Sequence, residues 1–323
     1  MQEEGSNRAI FGLTVKILVS FALLVIAVYY LDWPSLYHSL SKVGPSLLIL
    51  VVTILLLEFP VLGYRWHLMA NAHNRLRLQD QLKVYFIATF FNNFTPGQLG
   101  SDAYRFTHHS KAGAPGRILA GLLIRERLIG LTGFLLFFLV CYAIQSLQGQ
   151  MPQDAGMCLV HNAAIFIAVA LVGLLVLPLF APFLINITQR KTGKWIKLLT
   201  DVVREASKVG PPHLIALVMA LTLLGAGIIW VGAVKVVAQG LGSEATFFTL
   251  GMIAILADLL RLIPITVQGV GVREAVFAFL FDAFGLPPEE GFIIGLVAYV
   301  GVSLATVLIG VIGFIMPRKE IGP

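Results

Sequence analysis

Long apolar runs, separated by short charged or Pro/Gly-rich stretches, dominate the chain. A hydrocarbon core about 30 Å thick takes about 20 apolar residues as helix. That requirement is met over 11–31, 46–64, 118–144, 159–186, 213–238 and 291–316, so the pattern predicts six membrane-crossing helices. Run 11–31 is too long for the apolar centre of a cleavable signal and has no small-residue cleavage site behind it, so it reads as an anchor. Two regions depart from the pattern. Segment 82–95 is apolar for about 14 residues and then gives way to TPGQLGSDAYRF at 95–106. Segment 246–263 runs into IPITVQGVGVRE at 263–274 and a second short apolar run, 275–285. Runs of that length suit re-entrant hairpins that enter and leave on one face.

The two irregular regions share a design. With one gap, TPGQLGSD and TVQGVGVRE place Gly97, Gly100 and Asp102 opposite Gly269, Gly271 and Glu274. In each, a short apolar hairpin leads through a Pro/Gly turn to an acidic residue, and a full span follows. This predicts a single all-α, polytopic integral membrane domain over 1–323, with about six full spans and two re-entrant hairpins. Its halves, about 1–144 and about 159–316, would form an inverted repeat. Chance recurrence of Pro/Gly breaks is the competing explanation. Folds of this kind place their site near the bilayer midplane, where broken helices from the two halves meet. Pro96, Gly97 and Gly100 in one turn, and Pro264, Gly269 and Gly271 in the other, are the expected hinges. Proline ends the incoming half-helix, and glycine permits the tight turn that follows. Free N–H groups at the next helix start make a cradle for phosphate or carboxylate.

Composition agrees: 58% of residues are apolar and 12% charged, against about 45–50% and about 25% in soluble domains. Mean hydropathy is +0.87. A soluble enzyme, a secreted disulfide scaffold and a disordered chain are excluded. The net charge of +6 is no nucleic-acid footprint, because Lys and Arg mark cytoplasmic loops. Loop 65–83 holds Arg65, Arg75, Arg77 and Lys83, and loop 189–212 holds Arg190, Lys191, Lys194, Lys197, Arg204 and Lys208. Loop 145–158 has no Lys or Arg, and 286–290 carries glutamates only. Both termini are therefore expected in the cytoplasm. Cys141 and Cys158 read as small buried hydrophobes, with an outer-side disulfide as the alternative.

Charges inside apolar segments cost about 2.5–3.5 kcal/mol each at a helix centre and mark a cavity, a partner or a site. Span 118–144 carries Arg125, Glu126 and Arg127; 246–263 carries Asp258 and Arg261; the second turn carries Arg273 and Glu274; span 46–64 carries Glu58 beside Pro60. Arg125, Glu126, Arg261, Arg273 and Glu274 are the candidates for a functional polar core. Interhelical salt bridges are the alternative, above all for Glu58 and Asp258. Arg127 and Lys16 suit snorkelling to the interface. Arg105, three residues after Asp102, is placed to meet an anionic head group at the cytoplasmic mouth. His108 and His109 read as interfacial histidines. No metal-ligand spacing and no phosphate-binding G-x-x-x-x-G-K-[ST] motif occurs, so neither metal nor cofactor is expected.

NNFTPGQLGSDAYRF at 92–106, IRERLIGL at 124–131 and PITVQGVGVREAVF at 264–277 resemble the signatures of the lysylphosphatidylglycerol synthase transmembrane family. That family includes the membrane half of the multiple peptide resistance factor. The resemblance covers essentially the whole chain, although VQG stands where a Gly/Pro-richer turn is expected. It implies a bacterial inner-membrane protein that flips a phospholipid or lipid-linked head group, with membrane lipid as its ligand, no nucleic-acid partner, and a homodimer. The full resistance factor continues into a soluble aminoacyl-transferase domain. The present sequence ends at PRKEIGP, and no aminoacylation is expected of it. The leading expectation is a non-enzymatic lipid translocator in which Arg125, Arg261 and Arg273 meet phosphate while Glu126 and Glu274 position them. The alternatives are an intramembrane enzyme on a lipid or polyprenyl phosphate, with Asp102 or Glu126 as base, and a non-catalytic partner of a lipid-modifying enzyme.

Overall fold

The computed structural model describes residues 31–71, 77–95, 98–151, 154–189, 194–207, 211–261 and 269–317, with isolated positions 18, 21, 22, 25, 29 and 266. Most of the expected span 11–31, with Lys16, lies outside the described residues, as do Pro96, Gly97 and Pro264. Among the described residues every regular element is helical. Helix α1 (Trp33–Ser41) is capped by Asp32, whose carboxylate accepts the Ser35 N–H at 3.0 Å. Helices α2 (Pro45–Leu56) and α3 (Glu58–Ala70) make one span broken at Leu57. Pro60 offers no N–H to the Leu56 carbonyl and its ring crowds that turn, which accounts for the break.

Helix α4 (Leu78–Phe90) ends in a 3₁₀ turn, Phe91–Phe94, and α5 (Leu99–Lys111) follows. The long α6 (Gly116–Leu147) and α7 (Asp154–Gln189) are joined through α8 (Lys194–Ala206) to α9 (Pro212–Thr222). A π-helical stretch, Leu223–Ile229, links α9 to α10 (Trp230–Leu241). The chain closes with α11 (Phe247–Leu260), α12 (Val272–Ala283) and α13 (Pro288–Ile315).

Five stretches among the described residues are long and apolar enough to cross a membrane: Pro45–Ala70, Gly116–Leu147, Cys158–Val176, Pro212–Leu241 and Pro288–Ile315. They coincide with five of the six expected spans. Two expected loops are partly helical. Span 46–64 continues to Ala70, because Trp66, Met69 and Ala70 carry its buried face onward. Loop 189–212 contains α8, whose Trp195, Ile196, Leu199, Val202, Val203 and Ala206 recur at helical spacing. Arg117 at the start of α6 reaches Asp201 of α8 at 3.0 Å. The outer faces carry large exposed apolar side chains such as Phe166, Val169, Phe279 and Ile315, as a bilayer-embedded bundle requires.

One helix of each short-helix pair, α4 and α12, lies along α13. From its Met316 end, Lys83 donates to the Met316 carbonyl, Phe86 and Phe90 lie on Gly313 and Gly310, and Asn93 donates to Thr306 Oγ1 at 2.7 Å. Helix α4 therefore runs antiparallel to α13 and turns at the level of Thr306. From the opposite end, the Phe277 carbonyl lies on Gly291, the Glu274 backbone on Gly295, and the Arg273 guanidinium is 5.7 Å from the Tyr299 ring. Helix α12 is also antiparallel to α13, and its starting turn sits at Tyr299. At 1.5 Å per residue the two turns are roughly 10 Å apart along α13, near its middle.

This approach depends on Gly291, where a Cβ would stand 2.6 Å from the Phe277 carbonyl oxygen. Gly291→Val is expected to push α12 off α13 at a cost of about 1–3 kcal/mol. Thermal unfolding in detergent, compared with a substitution at the open position Gly130, measures it.

Candidate functional site

The first of two charged clusters is centred on Glu126 of α6. Its Oε1 accepts from Arg65 Nη2 at 2.9 Å and its Oε2 from Arg105 Nη1 at 2.6 Å. Arg65 Nη1 also donates to Thr222 Oγ1 at 3.1 Å. Arg105 Nη2 donates to Asp102 Oδ1 at 2.8 Å, and Arg127 pairs with the other Asp102 oxygen. One carboxylate thus ties α3, α5 and α6 together, and through Arg65 reaches α9. The side chains of Arg65 and Glu126 are each 8% exposed and that of Arg105 4%. Charge buried to that degree must be paired and hydrogen-bonded to be tolerated. Arg105 also lies over the Trp66 ring at 4.4 Å and near the Tyr85 ring at 5.6 Å, a cation–π cage.

Trp66 Nε1 donates to His109 Nε2 at 3.2 Å, the rings nearly parallel at 9°. That bond requires a neutral imidazole with its proton on Nδ1. His109 is fully buried. Burial, with the nearby His108 and Arg105 charges, pushes its pKa down to about 4. The unfolded chain then binds more protons than the folded one between about pH 6.5 and 4. Stability is therefore complete above about pH 6.5 and falls on acidification through that window, by on the order of 3 kcal/mol. His109→Gln should flatten the slope of thermal stability against pH over the same range.

The second cluster lies at the turn between α11 and α12. Asp258 Oδ1 accepts from Arg273 Nη2 at 3.2 Å and forms an ion pair with Arg261 at 3.3 Å. Arg273, 2% exposed, stands between the rings of Trp230 at 5.3 Å and Tyr299 at 5.7 Å. Its Nε and Nη1 have no hydrogen-bond partner among the described residues. Glu274 caps α12: its Oε2 accepts the Gly271 N–H at 2.7 Å, while Oε1 is buried without a partner among the described residues. The turn needs left-handed backbone at Gly269 and Gly271, with φ of 83° and 84°. Glu58, on α3, is in the field of Asp258 and Arg261 of the second cluster and of Arg65 of the first.

The structure thus brings Asp102, Arg105 and Glu126 together in one cluster, and Arg261, Arg273 and Glu274 in the other. Arg125 stands apart: its guanidinium donates to the Met69 carbonyl at 3.2 Å, and its charge faces Glu205 of α8. Of the expected hinges, Gly100 packs on the Phe91 carbonyl, Gly269 and Gly271 form the second turn, and Pro96, Gly97 and Pro264 lie outside the described residues. Gln98, at the start of α5, also takes a left-handed φ of 63°.

Several earlier expectations need correction. Arg127 pairs with Asp102 as well as reaching the surface. His109 is a core residue, because Trp66 holds it. Both cysteines are free, and Cys158 is exposed. Sequence reasoning missed Arg65, Trp66, Tyr85, Thr222, Trp230 and Tyr299. Arg65 was hidden by counting it as loop charge, although the apolar spacing of Trp66, Met69 and Ala70 continues the helix through it. The π-helical stretch 223–229 follows Thr222 directly, and its Gly225 lies on Leu62 of α3. Such stretches are frequent at functional sites. Among the described residues no group of three His, Cys, Asp or Glu is arranged to hold a metal. An open recess of about 360 Å³ lies at the Pro288 end of α13, lined by His38, Lys42, Pro287, Glu289 and Glu290 among others, away from both clusters.

The arrangement can bind an anion in a low-dielectric interior. Guanidinium groups match phosphate oxygens with paired N–H donors, and Arg273 keeps Nε and Nη1 uncommitted among the described residues. No curated protein and no solved structure matches the chain. A family model described as the lysylphosphatidylglycerol synthase TM region matches residues 13–313, a range that includes both turns and both charged clusters. The chain therefore belongs to the lysylphosphatidylglycerol synthase transmembrane-region family.

Proposed function

We propose that the protein moves a phosphate-bearing lipid between leaflets, passing its head group along the two charged clusters without chemical change. Family membership ties the chain to membrane-lipid function. The observation that carries the translocation reading is that two turns, from helix pairs based at opposite ends, both reach the middle third of α13, Asn93 at Thr306 and Arg273 at Tyr299. In a membrane these are re-entrant hairpins of an inverted repeat, and their tips lie near the midplane. On this reading the Met316 end, with Lys83, Lys111, Arg117, Lys197 and Arg204, is cytoplasmic, and the Pro288 end, where Asp282, Glu289 and Glu290 outnumber Lys42, is external. Arg105 and Arg65 meet the head group first, Arg273 and Arg261 next, and the Gly269–Gly271 turn gives way as it passes. The inner membrane of a bacterium is the natural setting for this reading.

The test is leaflet-to-leaflet movement of fluorescent phosphatidylglycerol, lysylphosphatidylglycerol, phosphatidylethanolamine and phosphatidylcholine in vesicles containing the purified protein. Faster movement of a phosphate-bearing head-group class than in protein-free vesicles is expected. Folded protein that accelerates none of the panel contradicts the proposal.

A further inference from the structure

We propose that Glu58 is a proton-carrying site, and that a proton crosses together with the anionic lipid; this rests on the translocation reading above. Arg65, Arg105, Arg127, Arg261 and Arg273 face Asp102, Glu126, Glu58, Asp258 and Glu274, so five cations meet five carboxylates and the core is neutral. A neutral core gives a lipid phosphate no net attraction. Neutralising any one carboxylate leaves a single positive charge, the complement of one phosphodiester anion.

Four of the five carboxylates are held in place. Glu126 accepts from two arginines and Asp102 from two, Asp258 is ion-paired with two, and Glu274 caps α12. Glu58 alone among them makes no hydrogen bond or ion pair with the described residues, and it is half-buried beside the break at Leu57. The groups facing it are Arg65 on its own helix, Tyr85 on α4, and Asp258 and Arg261 on α11. Glu126 on α6 reaches it through Arg65.

A carboxylate without a partner inside a membrane is stable only in a wet cavity or as the acid. Taking a proton from water, Glu58 becomes the neutral acid and ceases to compete with Asp258 for Arg261. Arg261 and the uncommitted donors of Arg273 then receive the phosphate. When the lipid leaves on the far side, Glu58 returns its proton to the water there. One proton and one monoanion move together, so no net charge crosses the bilayer.

The experiment uses the full chain in vesicles of phosphatidylethanolamine and phosphatidylglycerol, with fluorescent phosphatidylglycerol and a pH gradient of one unit. For one-to-one coupling the label redistributes about tenfold toward the leaflet facing the alkaline side. Protein-free vesicles correct for passive movement. Glu58→Gln is expected to lose the response to the gradient, and Glu58→Asp, which keeps the titratable group, to retain it. If Glu58→Gln does not fold, infrared spectroscopy of the wild type and Glu58→Asp gives the second reading. A protonated carboxylic C=O band that grows on adding phosphatidylglycerol is expected, at a frequency that shifts in Glu58→Asp. Wild-type protein that moves lipid with no response to the gradient overturns proton coupling and leaves translocation standing. The same holds if Glu58→Gln keeps the wild-type response. Wild-type protein that moves no phosphatidylglycerol, and shows no such band, overturns both.

Discussion

Glu126→Gln is expected to lower stability by about 3–5 kcal/mol, the usual cost of removing one partner from a buried ion pair. The reason is geometric. Glu126 stands between two guanidinium groups, at 2.9 Å from Arg65 and 2.6 Å from Arg105, all three side chains nearly inaccessible. Glutamine preserves the volume but leaves two cations facing each other in a low-dielectric interior. Arg105 keeps Asp102 and its aromatic cage, whereas Arg65 keeps one neutral hydrogen bond among the described residues, to Thr222, and no ion pair. Replacing Arg65 and Glu126 together with methionine should therefore cost less than the sum of the two single changes, because the uncompensated charge disappears with its partner. Thermal unfolding in detergent of Glu126→Gln, Arg65→Met, Glu126→Met and the double methionine variant measures both effects. Strict additivity would show that the pair does not act as a unit.

A covalent lock between the tip of the first hairpin and α13 should stop lipid movement outright. Asn93 and Thr306 touch through their side chains at 2.7 Å, so Asn93→Cys with Thr306→Cys, in a background of Cys141→Ala and Cys158→Ser, places two thiols within the span of a short bifunctional methanethiosulfonate reagent, which joins them through reducible disulfides. Cross-linking fixes the 3₁₀ turn, Phe91–Phe94, against the middle of α13. Movement is expected to fall to the protein-free rate when the bond forms and to recover on reduction. Fully cross-linked protein that moves lipid at the wild-type rate would show that this turn acts as a fixed wall and not as a gate.

Much of this architecture can be read from residue pattern alone, and the places where reading stops have physical causes. The two irregular regions are visible because apolar runs of about 14 residues are too short to cross hydrocarbon, and because Gly100, Gly269 and Gly271 punctuate them. Glu126, Arg261, Arg273 and Glu274 are visible because charge in an apolar run is costly enough to need a reason. Arg125 shows the limit of that argument. It adjoins Glu126 in sequence, yet consecutive residues on a helix point apart, and it reaches Met69 and the α8 side of the bundle. Which of two neighbouring charges faces inward depends on helix rotation, and that is fixed by packing.

Arg65 was hidden for a different reason. It stands where a span runs on past its expected end, and the partner that explains it, Glu126, is distant in sequence. The aromatic groups around Arg105 and Arg273 carry no local signal, since Trp66, Tyr85, Trp230 and Tyr299 look like ordinary span residues until four helices are brought together. The break at Leu57 could be anticipated from Pro60. The π-helical stretch at 223–229 has only its two glycines, Gly225 and Gly227, as a trace in the sequence.

The central claim is that the arginines gathered by the two hairpins, rather than membrane arginines in general, carry the lipid phosphate. Its most direct test compares fluorescent phosphatidylglycerol movement in vesicles containing the wild type, Arg273→Gln and Arg125→Gln, with reconstituted amount and thermal stability measured for each. Arg273→Gln is expected to fall to the protein-free rate while Arg125→Gln stays near the wild type. Wild-type movement in Arg273→Gln, or equal loss in both variants at matched stability, would contradict the account.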